Sequence, residues 1–222
     1  MTTAQTQQTS QKTQTFLTPF TPAYWKCSVG ELASLKSLVL AALFIALRMA
    51  IKSFKIPLPF TENLNIFFTF TVNALGSYIY GPVVGFLSGC VCDTLSYLIH
   101  PSGPYNIAFM FVEGLGSFLF GVVLYRAKIS AVRLFLSKFF VSLICNVFLT
   151  PVFLSTMYGK KTVIALMIPR IWKNLTLLPF ETIILCVLFG AMLPILYRAK
   201  ALPWLKKEDA HLSLITFAAH DD

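Results

Sequence analysis

Ionisable side chains inside or beside long apolar runs are the residues of this 222-residue chain most able to do chemistry. Charged groups in such runs are costly, face protein or water, and are candidates for functional sites. The set contains both signs, which suits a zwitterionic or polar heteroaromatic ligand better than a simple ion. Structural pairing of an acid with a base is the alternative explanation for each acid. The residues are Arg48, Asp93, Glu113, Arg170, Lys173 and Glu181.

The composition predicts that a lipid bilayer surrounds these groups. Hydrophobic residues make up 56% and charged residues 12% of the chain, whereas a soluble domain is about one quarter charged. We therefore predict an all-α integral membrane protein, a bundle of about six transmembrane helices with an outward-facing pocket. The membrane domain spans residues 31–200, between a polar cytoplasmic N-terminal tail (1–30) and a cytoplasmic C-terminal tail (201–222). The predicted helices are Leu32–Phe54, Asn65–Tyr80, Val83–Ile99, Asn106–Tyr125, Leu134–Met157 and Arg170–Leu196.

The distribution of basic residues predicts the orientation of the bundle. Cytoplasmic loops carry excess Lys and Arg, and this bias favours both termini inside, with Arg126, Lys128, Arg133 and Lys138 on the same side. The outer face is still basic, since it holds Arg48, Lys52, Lys55, Lys160, Lys161, Arg170 and Lys173. Contact with lipid headgroups is one explanation. The other is an outward-facing pocket that attracts an anion.

Small residues four apart predict where helices approach closely. The first predicted helix carries Ala42, Ala46 and Ala50 on one face. The third has Gly81, Gly85 and Gly89 at the same spacing, with Asp93 continuing the row. Each stripe packs either against a helix of this chain or against a helix of another protein.

Several chemistries lack a motif in this chain. We find no phosphate-cradling loop and no nucleophile elbow, so no visible motif predicts ATP hydrolysis or other enzyme activity. The cysteines have no zinc spacing and the histidines form no cluster, so we expect neither a metal nor a cofactor. The formal net charge is +9. The charged residues lie at the predicted membrane edges, and we therefore expect no nucleic-acid partner.

Four stretches together resemble a known family. The runs LAALFIALRMA (40–50), FTVNALG (70–76), YGPVVGFLSGCVCD (80–93) and PRIWKNLTLLPFE (169–181) are similar to the substrate-binding (S) component of energy-coupling factor (ECF) vitamin transporters. The folate-type subfamily is the most similar. The resemblance covers about residues 35–197.

The resemblance implies a high-affinity vitamin-binding protein in the plasma membrane of a prokaryote, most similar to those for folate. Such subunits bind the vitamin in an outward pocket that the loop after the first helix caps. They dock through the small-residue face of the first helix, here Ala42, Ala46 and Ala50, onto an ECF coupling membrane protein. Two separate ATPase subunits then drive transport, during which the S component is thought to topple in the membrane. We expect ligand contacts from Arg48, Asn73, Asp93, Tyr97, Tyr105, Arg170 and Lys173.

Other interpretations of the sequence stay open. The same fold could bind pantothenate, thiamine or riboflavin instead of folate. An intramembrane enzyme could use Asp93 and Glu113 as an acid–base pair. A channel or secondary transporter is a third possibility, although the chain shows no clear inverted repeat of the kind those proteins often carry.

Overall fold

The computed structural model describes residues 18–52, 56–57, 65–66, 68–99, 101, 105–158, 163–200, 202, 204–205 and 211–213. Seven α-helices dominate these residues, supplemented by a 3₁₀ turn at Glu31–Ala33 and a π-helical segment at Ser142–Leu149. The α-helices are α1 (Pro22–Gly30), α2 (Leu35–Lys52), α3 (Thr69–Ile99), α4 (Ile107–Leu124), α5 (Ala131–Val141), α6 (Thr150–Tyr158) and α7 (Val163–Arg198).

Helix α3 is a helical hairpin rather than one rod. Gly81 has φ +81° and ψ 178°, a backbone conformation open to glycine, and Pro82 follows it. A Cβ atom placed on Gly85 would lie 3.2 Å from the Ser77 Oγ. Eight residues of straight helix would separate the same positions by about 12 Å. The two legs of α3 therefore fold back on each other, as the predicted break between the second and third helices required.

Several helical stretches among the described residues, α3 included, have the length that a bilayer needs. Four helical stretches are long and apolar enough to cross a membrane, or five if α1, the 3₁₀ turn and α2 form one span bent by 78°. One of these is the continuous stretch Ala131–Thr156, which joins α5, the π-helical segment and α6. The all-α membrane fold predicted from the sequence is confirmed, and each predicted helix has a counterpart.

Two of these helices begin at a residue whose side chain caps the helix N-terminus. Asn106 Oδ1 accepts a hydrogen bond from the Ala108 amide at 2.9 Å, and Ser130 Oγ accepts one from the Arg133 amide at 3.3 Å. Both are residue types that favour helix N-termini because they satisfy an otherwise unpaired N–H group. They set the points at which α4 and α5 start.

The end of the bundle near Gly81, which we call the closed end, is covered by both predicted tails. Tyr24 of α1 is fully buried, and its hydroxyl donates to the Gly121 carbonyl at 2.9 Å. Trp204 is buried too, with its ring centroid 5.3 Å from that of Tyr78. Tyr125 donates a hydrogen bond to Glu31 Oε1 at 3.1 Å, and burial, with the nearby Glu31 carboxylate, raises the pKa of Tyr125.

Both predicted tails contain structured segments, and the predicted domain limits stay a prediction. Residues 1–30 were expected to be a polar tail, but residues 22–30 form α1. Residues 201–222 were also expected to be a tail, but Leu202, Trp204 and Leu205 are buried. The aromatic rings of these short segments fill the closed end, a tertiary contact that neither polarity nor segment length signals.

A two-residue antiparallel ladder pairs Ile56 with Ile66 and Pro57 with Asn65. It belongs to the connection between α2 and α3, which the family resemblance suggested as a pocket cap. Residues 53–55, 58–64 and 67, like Lys160 and Lys161, lie outside the described residues. The capping role of that connection stays a prediction.

Candidate functional site

A cavity of about 340 Å³ opens between the helices at the end where α2 finishes and α4 and α7 begin. Helices α2 and α3 line one side of it, and α5, the π-helical segment and α7 line the other, together with α4. Its lining contains five basic and two acidic side chains, an unusual density for an apolar bundle. The charged lining residues are Arg48, Lys52, Glu113, Lys138, Arg170, Lys173 and Glu181.

An ion pair joins α2 to α4 in this cavity. Arg48 is 1% exposed, and its Nη2 donates a hydrogen bond to Glu113 Oε1. Glu113 keeps 33% of its side chain exposed, on the side that lines the cavity. Because the pair is charged and hydrogen-bonded, each partner lowers the cost of holding the other in the bundle.

A second ion pair lies deeper along α5 and α7. Lys138 Nζ is 3.1 Å from Glu181 Oε2, and the same ammonium group lies 4.2 Å from the centre of the Phe70 ring. Lys138 is only 4% exposed. Its charge is therefore held between a carboxylate and an aromatic face, both of which favour a cation.

Helix α7 brings a stripe of polar residues to the cavity. Arg170, Lys173, Asn174, Leu177 and Glu181 are three or four positions apart and all line it, so they share one helical face. Asn174 Nδ2 donates to the Arg170 carbonyl at 2.8 Å. Asn146 Nδ2 in turn donates to Asn174 Oδ1 at 3.3 Å. These bonds fix the orientation of the amide side chains on this wall.

Besides Glu181 Oε2, which is ion-paired with Lys138, three buried polar atoms of the cavity lining find no hydrogen-bond partner among the residues that the structure describes. They are Arg48 Nε, Arg48 Nη1 and Asn73 Oδ1. Arg48 and Asn73 are 1% and 6% exposed. Unpaired buried donors and acceptors are rare in native proteins because they lose hydration without compensation. Their placement in the lining indicates a site for a polar ligand.

Four of the seven predicted ligand-binding residues line the cavity: Arg48, Asn73, Arg170 and Lys173. The other three, Asp93, Tyr97 and Tyr105, are not among its lining residues. The rings of Tyr97 and Tyr105 lie 4.9 Å apart, and the Tyr105 hydroxyl is 3.1 Å from Thr94 Oγ1.

The hairpin in α3 gives its two legs different positions relative to the cavity. Its first leg, with Thr69, Phe70 and Asn73, faces the cavity. Its second leg packs against α4 through Gly89, where an added Cβ would meet the Glu113 carbonyl at 2.7 Å. Residues at the end of that second leg are not among the lining residues, and the ligand contacts predicted there stay a prediction.

Sequence reasoning missed several lining residues. Lys138 was assigned to the cytoplasmic side, which is wrong, because it lies seven positions into α5 and lines the cavity. Glu181, which pairs with Lys138, also lines it. Lone polar residues in apolar runs were the available signal. The polar lining residues that were not predicted as ligand contacts are Lys52, Thr69, Glu113, Lys138, Asn146, Asn174 and Glu181.

The predicted docking residues lie on the opposite side of α2. Ala42, Ala46 and Ala50 are all exposed, and the larger neighbours Val39 and Leu43 are 61% and 63% exposed. The stripe therefore does not pack against another described helix of this chain. It forms a shallow apolar surface bordered by branched side chains.

Metal ligation has no support in the part of the chain that the structure describes. No group of three or more His, Cys, Asp or Glu side chains converges there. All five cysteines are free thiols. The chemistry available to the cavity is thus ion pairing, hydrogen bonding and contact with aromatic rings.

Comparisons with known proteins point to one class of transporter subunit. The family model described as "ECF-type riboflavin transporter, S component" matches residues 32–196. The folate transporter FolT of Clostridium novyi (strain NT) is 28% identical over 131 residues, which cover 59% of this chain and 74% of that protein. A crystal structure of FolT bound with folic acid has 28% sequence identity and a TM-score of 0.61, covering 68% of this chain and 91% of that one.

Proposed function

This chain belongs to the ECF-type riboflavin transporter S-component family, and from that premise we propose that it is the folate-binding S component of an ECF-type vitamin importer. Membership makes it a multi-pass membrane transporter component and not an enzyme. The family model carries the name of riboflavin, whereas the two relatives carry the name of folate. The charge of the cavity lining distinguishes between these two vitamins.

The charge of the cavity is the observation that carries the proposal. Its five basic side chains exceed its two acidic ones by three. In a water-poor bundle, such an excess attracts anions strongly, because charges interact more strongly at low dielectric constant. Folate carries a glutamate tail with two carboxylates, whereas riboflavin has no ionised group. An anionic vitamin therefore matches the cavity better than a neutral one.

The basic residues of the lining differ in their position along the cavity. Arg48 and Lys138 lie in ion pairs with Glu113 and Glu181. Arg170 and Lys173 occupy the first turns of the cavity-lining stretch of α7, nearer to its opening. We assign the carboxylates of the glutamate tail to this pair, through charge-assisted hydrogen bonds.

Apolar lining residues provide the surface for a flat ring. Phe70, Val112, Phe120 and Leu177 line the same cavity as the charged groups. Its volume of about 340 Å³ is in the range of small-molecule sites, which are mostly apolar with a few well-placed polar groups. A pterin and an aminobenzoyl ring fit this mixture of apolar walls and polar anchors.

The partners follow from the exposed face of α2. We propose that Ala42, Ala46 and Ala50 dock onto the ECF coupling membrane protein, with two ATPase subunits supplying the energy. Small residues permit close helix approach, which in a bilayer is driven by packing. The proposed setting is a prokaryotic plasma membrane, with both termini in the cytoplasm and the cavity opening outward.

Equilibrium binding to the purified chain in lipid nanodiscs tests the ligand. Folate, riboflavin, thiamine and pantothenate are titrated in parallel, and we expect folate to bind with the highest affinity. Tight binding of riboflavin with no binding of folate would overturn the assignment and favour the vitamin in the name of the family model. Folate uptake into proteoliposomes that hold the complete importer tests the transport step.

A further inference from the structure

We propose that Glu113, held by Arg48, selects the 2-amino-4-oxo edge of a pterin ring and rejects the 2,4-dioxo edge of a flavin. Glu113 is then the residue that decides specificity between folate and riboflavin. This inference rests on the proposed function, since it names the part of folate that one wall of the cavity recognises.

The geometry of the ion pair leaves the carboxylate available to a ligand. Arg48 Nη2 donates one hydrogen bond to Glu113 Oε1, but a carboxylate has two oxygens with about four acceptor sites. A third of the Glu113 side chain is exposed, and it lines the cavity. The pair thus offers free acceptor capacity at a position that Arg48 fixes from α2.

The same wall also offers donors. Arg48 Nε and Nη1 find no acceptor among the described residues, although Arg48 is 1% exposed. Asn73 is 6% exposed, and its Oδ1 likewise finds no donor among the described residues. Since a guanidinium cannot lose its proton, these N–H groups require an acceptor. A ligand edge that carries both donors and acceptors satisfies this wall.

A pterin ring has such an edge. Its 2-amino group and N3–H are adjacent donors, which a single carboxylate accepts in parallel. Its O4 and N5 atoms are adjacent acceptors, which a guanidinium matches. The match with Glu113 and Arg48 uses charge-assisted bonds on both sides.

A flavin ring presents the opposite pattern at the corresponding position. Its N3–H is flanked by the C2 and C4 carbonyl oxygens, so a carboxylate that approaches N3 also meets two acceptors. Glu113 therefore attracts one ring and repels the other, and specificity gains from both effects. Neutralising Glu113 should shift the preference and not merely weaken binding.

The test combines a change in the protein with a change in the ligand. Folate and its 2-deamino analogue are titrated against the wild-type chain and Glu113→Gln. In the wild type, loss of the 2-amino group should weaken binding about tenfold or more, the effect of one charge-assisted hydrogen bond. In Glu113→Gln, where Arg48 keeps the amide oxygen and the NH₂ group faces the ligand, the two compounds should bind within about threefold of each other.

The affinity for riboflavin provides a result that misfolding of Glu113→Gln cannot produce. The NH₂ group of Glu113→Gln donates to a flavin carbonyl, so the affinity for riboflavin should rise several-fold while that for folate falls. Glu31→Gln is the matched control, because it makes the same substitution at the closed end, where Glu31 accepts a hydrogen bond from Tyr125 and does not line the cavity. It should keep the wild-type affinities for all three compounds.

Distinct outcomes separate the inference from the proposed function. If the wild type binds folate but Glu113→Gln keeps the wild-type ratio between folate and its deamino analogue, the inference is overturned and the function stands. Equal binding of both compounds by the wild type also overturns it. If the wild type binds neither, the proposed function fails together with the inference. Should Glu113→Gln not fold, Glu113→Asp keeps the charge for Arg48, and its shorter reach should still lower the ratio.

Discussion

The two faces of helix α2 follow the same helical period but have opposite chemistry. Its buried face consists of Ser37, Ala41, Phe44 and Arg48, and it includes the most deeply buried charge of the cavity lining. Its exposed face carries Ala42, Ala46 and Ala50 between larger apolar side chains. In water the charged residue would face out. In a bilayer the charge has to face protein, and small apolar residues are free to form a contact surface.

The largest effect should come from removing the charge on the buried face. Arg48→Ala leaves Glu113 in the bundle without its cation, which costs about 3–5 kcal/mol for a buried pair. We expect a lower thermal midpoint and a loss of folate binding of at least about hundredfold, measured by unfolding scans and titration.

A double variant separates the two roles of Arg48. Arg48→Met combined with Glu113→Leu replaces the pair by apolar groups of similar size, which is often neutral for stability. We expect the thermal midpoint to recover while folate binding does not. Normal folate binding by Arg48→Ala would remove the functional distinction between the two faces of α2.

The next effect extends the comparison to α7, whose polar stripe faces the cavity. Arg170→Ala removes a cation proposed to bind a carboxylate, and a charge-assisted hydrogen bond contributes about 1.5–3 kcal/mol. Folate binding should weaken by roughly tenfold or more. The control is Arg198→Ala at the far, exposed end of the same helix, for which titration should give the wild-type affinity. Equal losses in both variants would point to a general effect of charge.

A third experiment addresses the exposed face of α2. Ala46→Trp places a large side chain in the proposed contact with the coupling protein, and overpacking costs about 1–3 kcal/mol. Uptake and co-purification with the coupling protein should fall about tenfold or more, while folate binding to the isolated chain is unchanged.

The matched control for that experiment is Ala191→Trp, an alanine on the exposed surface of α7. It should transport as the wild type does. Loss of ligand binding in Ala46→Trp would mean that the stripe supports the fold of this chain. Normal uptake in the same variant would mean that the stripe faces only lipid.

The smallest effect should come from salt, which distinguishes the two faces by charge alone. Raising the salt concentration from 0.1 to 1 M shortens the screening length from about 10 Å to about 3 Å. Folate binding should weaken by roughly twofold to fivefold, because the cavity opening is charged. Docking through alanines should not weaken. A salt-sensitive docking step with salt-insensitive folate binding would reverse the comparison.

Local patterns predicted a large part of this molecule. The apolar runs and their proline and glycine breaks predicted the helices, including the turn at Gly81. Charges inside apolar runs predicted Arg48, Arg170 and Lys173 as lining residues of a cavity. These succeed because a bilayer penalises each unpaired charge and each unpaired backbone group individually, so single positions carry strong information.

The failures share a physical cause. Asp93, Tyr97 and Tyr105 had suitable chemistry and approximate depth, but they lie at the end of the second leg of α3 or just before α4, outside the set of residues that line the cavity. Lys138 was misplaced because a lysine near a helix end is usually at the membrane surface, whereas Glu181 and Phe70 provide partners for it within the bundle.

The sequence by itself determined the membrane class, the helices, their breaks and which charges need a partner, because these follow from the local balance of apolar and polar groups. Only the tertiary structure decided which acid pairs with which base, which face of α2 stays exposed and which polar atoms remain unpaired in one cavity. Those outcomes depend on the rotation and tilt of helices that are distant in the chain. Rotation and tilt are set by side-chain packing across the whole bundle, and no local pattern records them.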